Sequence, residues 1–225
     1  MISFENHAFK GMDESLKRLF TLQISMAAEI EQLIALLPRG LEVADPQSFQ
    51  QAKMIDKEIN AAEVATDKLV AETINKYTPM GEELRFVLAS VKTAGILERT
   101  ADKIKNCIKR LAKVNHPLDA TVRTQLERGV NAVRAMLPKA LNQTIDYQDD
   151  IAQQVLAHGT EAQDSYKRVL LQLHHHQPAQ VASDATHILL MAKNLEQAAD
   201  MAIEIMKIGH YVNFGTKYEK HKNDV

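Results

Sequence analysis

Apolar residues in this 225-residue chain recur at three- and four-residue steps over long stretches, and few Pro and Gly interrupt them. That is the period of a helix face, and alternating strand-like segments are absent. The first stretch shows the pattern: Leu16, Leu19, Phe20, Ile24, Ala27, Ala28, Ile30 and Leu33 line one side of a helix expected over residues 5–36. The segment Pro38-Arg39-Gly40 and its neighbours should break it. Asp45-Pro46 reads as an N-cap followed by Pro at the first helical position, opening a second helix to Tyr77. Thr78-Pro79 should open a third in the same way, with Glu82 and Glu83 favourably placed in its first turn, reaching Val114.

Asn115-His116-Pro117 is the expected linker. A fourth helix then runs to Asn142, with Pro138 expected to kink or end it. A fifth covers residues 148–174, with Gly159 a weak point. A sixth covers residues 179–211, and a charged tail follows. Long helices with short turns imply antiparallel packing. The expected architecture is therefore all-α, with two pseudo-symmetric three-helix bundles at residues 1–114 and 117–225.

An internal match supports a duplication. Leu97-Glu98-Arg99-Thr100-Ala101-Asp102 corresponds to Leu195-Glu196-Gln197-Ala198-Ala199-Asp200, and each copy lies late in the third helix of its half. The spacing between copies is far longer than a solenoid repeat of ~50 residues, so this is a duplicated bundle.

Within each copy, two acids stand four residues apart and project from one helix face. Glu98 and Asp102 continue a stripe of Leu84, Leu88, Val91 and Gly95, read as core-facing. Glu196 and Asp200 continue Leu189 and Ala192, and Glu204 extends that ladder. Like charges four residues apart cost an exposed helix about 0.2–0.5 kcal/mol, and a cation between them reverses the sign. Carboxylates alone make a hard oxygen site suited to magnesium, calcium, manganese or iron. Asp56, Asn60 and Glu63 on the second helix offer matching groups. Such a pair on one helix more often forms a solvated or salt-bridged face, and its repetition brings the two readings level.

Other features are plainer. His174-His175-His176 reads as an exposed turn, and His158 near Glu161 as a surface histidine. Asp184 and His187 have ligand-like spacing but lie far from Glu196. Met26, Met191, Met201 and Met206 read as core fillers. Tyr211 and Phe214 should pack the end of the last helix. The one cysteine, Cys107, excludes an intrachain disulfide and reads as a buried small residue suited to a reducing compartment. The formal charge of −2 and pI near 6.5 argue against nucleic-acid binding. The first residues carry acids and lack an apolar core, so no signal peptide is read. Uninterrupted apolar runs such as His187–Ala192 fall far short of the ~18 residues of a membrane span. No phosphate-binding glycine loop, serine elbow, Cys-x-x-Cys or Glu-x-x-His pair is present.

Taken in order, these pieces resemble the PhoU family of phosphate-signalling proteins over nearly the whole chain. His7, Leu16, Met26 and Glu31 fall at the family's first-helix spacing. Asp56, Asn60 and Glu63 resemble its second-helix motif, and Glu83-Leu84-Arg85 its entry to the third helix. The two six-residue copies resemble its repeated acidic motif, and Tyr211-Val212-Asn213-Phe214-Gly215 its closing segment. The resemblance implies a cytoplasmic, non-catalytic regulator of phosphate uptake, peripheral at the inner membrane face, and a homo-oligomer, a dimer, is expected. Its implied partners are the ATPase of a phosphate-specific ABC transporter and a phosphate-sensing histidine kinase. It also implies divalent or trivalent metal, with iron, zinc, manganese and magnesium as candidates. The ligands would be Asp56, Asn60, Glu98 and Asp102 in the first repeat, and Glu161, Glu196 and Asp200 in the second. This chain departs from the pattern where Ala101 and Ala199 replace glycine and Gln197 replaces arginine. It lacks a clear acid pair on the fifth helix, whose two positions fall on Ala157 and Glu161 or on Gly159 and Gln163. Such departures mark a divergent branch. Two other functions fit the same residues: a metal-dependent phosphatase using the carboxylate faces, and a metal-binding structural bundle.

Overall fold

The computed structural model describes residues 10–42, 46–175 and 182–219. Among them are six helices and no strand: α1 Lys10–Glu42, α2 Pro46–Tyr77, α3 Gly81–Leu111, α4 Ala120–Asn142, α5 Asp149–His175 and α6 Ala182–Phe214. They form two three-helix bundles, α1–α2–α3 and α4–α5–α6, and α1 also meets α4. The expected starts at residues 5 and 179, Asp45, His176 and the end of the tail lie outside the described residues.

Several boundaries differ from the pattern reading, each for a local reason. α1 continues past Pro38 to Glu42, and buried Leu41 anchors that last turn. Thr78-Pro79 does not open α3. Thr78 instead takes a left-handed conformation (φ 50°), and its N–H donates to the Ile74 carbonyl at 3.1 Å, so it closes α2 as a C-terminal cap. Met80 is the N-cap of α3, and its N–H donates to the Glu83 carboxylate at 3.4 Å. α4 opens on Asp119, whose carboxylate accepts from the backbone N–H groups of Thr121 (2.9 Å) and Val122 (3.2 Å). It runs through Pro138 to Asn142, so Pro138 does not end it.

α3 and α6 lie side by side and antiparallel at the centre. Arg85 Nε near the start of α3 donates to the Val212 carbonyl near the end of α6 at 2.8 Å. Midway, Thr100 Oγ1 lies 3.5 Å from Met201 Sδ, and Cys107 Sγ donates to the Met191 carbonyl at 3.5 Å. At the far end Arg110 Nη1 is 3.4 Å from His187 Nδ1. Beyond it Asp184, 2% exposed, gathers the linker: it accepts from the N–H groups of Asn115 (3.2 Å) and His116 (3.1 Å) and meets His116 Nδ1 at 2.7 Å.

One hydrophobic core runs through both bundles, including Met26, Ile30, Leu97, Ile104, Leu126, Met136, Leu195 and Met206. A smaller cluster of Leu16, Leu19, Phe86, Val87 and Val212 fills the end where α1 and α3 begin and α6 finishes. Met191 is also buried, Met201 is partly so, and Cys107 is fully buried, as expected. Gly11–Leu37 is a helix long and apolar enough to cross a membrane by length and composition, which a search for uninterrupted apolar runs misses. Its face bearing Leu16, Leu19, Met26, Ile30 and Leu33 is buried in the bundle. Ile24, assigned to that face, is exposed, as is Ala28. Tyr211 and Phe214 are largely exposed, although Phe214 sets its ring edge-on to Tyr147 at 5.4 Å.

Candidate functional site

The face of α3 that meets the core is rotated from the expected one. Its buried positions include Ser90, Thr93, Ala94, Leu97, Thr100, Ala101 and Ile104. Ser90 Oγ donates to the Phe86 carbonyl at 2.9 Å and Thr100 Oγ1 to the Ile96 carbonyl at 2.8 Å. Their hydroxyls are satisfied by their own helix and can be buried. The stripe read as core, Leu88 and Val91, is 49% and 39% exposed. Glu98 and Asp102 thus lie at the margin between core and solvent, in reach of α2.

There the acids meet an internal cation. Lys105 Nζ lies 2.6 Å from Asp56 Oδ1 of α2 and 2.6 Å from Asp102 Oδ1 of its own helix. Lys105 and Asp56 are mostly buried, at 21% and 16% side-chain exposure. Burial works against the ammonium, but the hydrogen bonds to Asp102 and Asp56 outweigh it and raise the Lys105 pKa. Glu98 stays outside the bridge. Burial, then the charges of Asp102, Glu63 and Asp56, push its carboxyl above the ordinary range. Asn60 is exposed.

Beside this bridge a cleft of about 360 Å³ is lined by Glu63, Val91, Gly95, Glu98, Arg99 and Glu204, among others. Glu204 comes from α6 and carries an exposed ion pair to Arg99 at 3.9 Å. The acidic ladder of the second repeat thus ends in the cleft of the first, which sequence spacing alone did not place. The signal for it was the antiparallel register of the two motif helices.

The second acidic face is arranged differently. The ammonium of Lys193, one turn before Glu196 on α6, pairs with the Glu196 carboxylate and stands 5.0 Å from the centre of the Tyr166 ring. The hydrogen bond to Glu196 raises the Lys193 pKa. Burial and the Glu196 charge raise that of Asp200, whose side of the helix is exposed. Glu161 is exposed and engaged with His158, Nδ1 to Oε2 at 3.1 Å. Asp184 and His187, spaced like ligands, serve the linker and Arg110 respectively.

The fit to a metal ion follows from these contacts. Oxygen ligands stand about 2.0–2.6 Å from magnesium or calcium. Lys105 holds Oδ1 of both Asp56 and Asp102, so an ion between them would have only their second oxygens, with the ammonium pressed against it. Among the described residues no group of three or more His, Cys, Asp or Glu side chains is arranged to hold a metal. As they stand, these side chains do not fit one. Sequence reasoning named the carboxylates and passed over Lys105 and Lys193, although their three-residue spacing from Asp102 and Glu196 was visible.

Residues 24–111 match the family model described as the PhoU domain. A phosphate-specific transport system accessory protein PhoU homolog of Zymomonas mobilis is 27% identical over 212 residues, covering 93% of this chain and 89% of its own. The homolog of Rhizobium meliloti is 27% identical over 228 residues, covering 97% and 94%. Among solved structures, PhoU from Pseudomonas aeruginosa superposes with a TM-score of 0.82 at 21% identity, covering 91% of this chain and 99% of that one. The phosphate transport system regulatory protein PhoU from Streptococcus pneumoniae gives 0.71 at 19% identity, covering 90% and 98%. At those identities the structures speak for the fold.

Proposed function

The chain belongs to the PhoU family, and from that premise we propose that it regulates phosphate uptake as a non-catalytic adaptor. The carrying observation is that relatives aligned over 93% and 97% of this chain are named as accessory proteins of the phosphate-specific transport system. The adaptor works at the cytoplasmic membrane face. It engages the ATPase of a phosphate transporter and a phosphate-sensing histidine kinase, holding the starvation response off when phosphate is abundant.

Two features of the site support binding over turnover. Three of the carboxylates that a hydrolase would use are tied up: Asp56 and Asp102 by Lys105, Glu196 by Lys193. The surface beside them suits a protein partner. Val91 lines the cleft, Leu88 lies about one turn earlier on α3, and Val64 follows the cleft residue Glu63; all three are exposed. Apolar side chains rimmed by charges of both signs, Lys92 and Arg99 beside Glu63, Glu98 and Glu204, fit a partner with an apolar anchor and a polar rim.

The test is genetic. Deleting the gene in cells grown on abundant phosphate should raise both alkaline phosphatase and stored phosphate or polyphosphate, and unchanged levels of both refute the proposal. Restoring the gene with Leu88→Asp/Val91→Asp should fail to repress, while the purified variant keeps the wild-type helical circular dichroism.

A further inference from the structure

We propose that the acidic face of the first bundle is closed by a lysine of its own helix, so that the cation its carboxylates require is a resident ammonium and not a bound metal. The proposal concerns the site alone and does not depend on the regulatory reading.

Lys105 Nζ sits between carboxylates of two helices, 2.6 Å from each. Such distances are charge-assisted hydrogen bonds, at the short end for ammonium to carboxylate. The bridge joins residues 49 apart in sequence, so it ties α2 to α3 as a shared ion would. It also spends the nearest counter-charge in a neighbourhood where Asp56, Asp102, Glu63 and Glu98 repel one another. A divalent ion entering there must displace the ammonium, which has to move away or lose its proton. Removing the lysine leaves those carboxylates uncompensated and partly buried, the condition under which they bind a hard cation.

On the second face a lysine pairs with Glu196 alone and leaves Asp200 and Glu161 outside. Lys193 precedes Glu196 by three residues, whereas Lys105 follows Asp102 by three. The two lysines therefore do not occupy equivalent positions of the repeat. The Tyr166 ring, 5.0 Å from Nζ, helps hold the second ammonium in place.

The test uses the full chain, stripped with chelator, with Mn²⁺ as the probe. Wild-type protein should retain no manganese after desalting, and its melting temperature should be the same in Mn²⁺ and in EDTA. Lys105→Met should bind Mn²⁺ more tightly than wild type by about tenfold or more. Its melting temperature should fall in EDTA and recover with Mn²⁺. Lys105→Arg, which keeps the charge, should behave as wild type. The proposal is overturned if wild-type protein holds stoichiometric manganese that Asp56→Asn/Asp102→Asn abolishes, or if folded Lys105→Met gains no affinity. Should Lys105→Met fail to fold in either buffer, the wild-type measurement decides: indifference to Mn²⁺ and EDTA supports the proposal, and retention or a chelator-sensitive melt overturns it.

Discussion

Replacing Gly209 by alanine sets two effects of opposite sign against each other. Gly209 lies inside α6, where alanine gains up to about 1 kcal/mol of helix propensity. A Cβ there, however, would stand 2.5 Å from both the backbone carbon and the carbonyl oxygen of Gln143, and 2.9 Å from its Cβ. Comfortable carbon contacts lie near 3.5–4.0 Å, so the overlap is about 1 Å. Gln143 cannot yield easily. It is buried, caps the C-terminus of α4, and its side-chain oxygen accepts from the Gln148 N–H at 2.8 Å. Its carbonyl accepts from Asn213 Nδ2 at 3.1 Å, a bond lost if α6 moves outward. Overpacking costs about 1–3 kcal/mol and a lost hydrogen bond about 1 kcal/mol. After the propensity gain, the variant should be destabilised by about 1–3 kcal/mol, a fall in melting temperature of about 2–12 °C for a chain of this size. Gly95→Ala is the control: its Cβ meets only Glu63 Oε1, at 3.5 Å, so propensity should prevail and the melt should rise by about 1–4 °C. Melting followed by circular dichroism at 222 nm reads both. If Gly209→Ala melts at or above wild type, the close approach of α6 to Gln143 is not rigid and the reasoning fails.

Three further outcomes are expected. Burial opposes the charge of Asp184, but the hydrogen bonds from His116 and the Asn115 and His116 backbone hold its carboxyl below the ordinary 3.8. Its contribution is thus present above that value and drains as pH falls through the lower folded one. Asp184→Asn should cost about 1–3 kcal/mol at pH 7. The gap to wild type should narrow in urea titrations below pH 4, and a gap that widens with acid contradicts the assignment. Gln23 is 1% exposed, and among the described residues neither its Oε1 nor its Nε2 has a partner. Gln23→Met should therefore raise the urea midpoint at unchanged slope, by about 1 kcal/mol, whereas a lower midpoint would show that the amide is satisfied. Thr78 holds a left-handed backbone, so Thr78→Gly should raise stability by up to about 1 kcal/mol, read from the same titration.

Much of the fold was legible because it depends on local and periodic signals. The breaks near Thr78, Asn115 and Gln143–Gln148 separate the helices where turn-forming residues cluster. Leu16, Leu19, Ile30 and Leu33 are buried as their spacing demands, and so are Met26, Met191 and Met206. The repeated motif correctly announced a duplicated three-helix unit, since its two copies stand on the paired helices α3 and α6. The candidate site was legible only by residue type. Acids at four-residue spacing are visible in one dimension, but what neutralises them depends on which helix lies alongside.

Helix number, most of the apolar face of α1 and the duplication were determined by the sequence itself, because each arises from interactions within a few turns. The tertiary structure decided three other things. It chose the core face of α3, because Ser90 and Thr100 satisfy their hydroxyls on their own helix and can be buried, leaving Leu88 and Val91 outside. It set α3 against α6 in antiparallel register, which carries Glu204 into the cleft of the other repeat. And it brought Asp56 to Lys105 and Asp102, a charge balance that exists only once two helices pack, because no local pattern specifies which ammonium a carboxylate on another helix will meet.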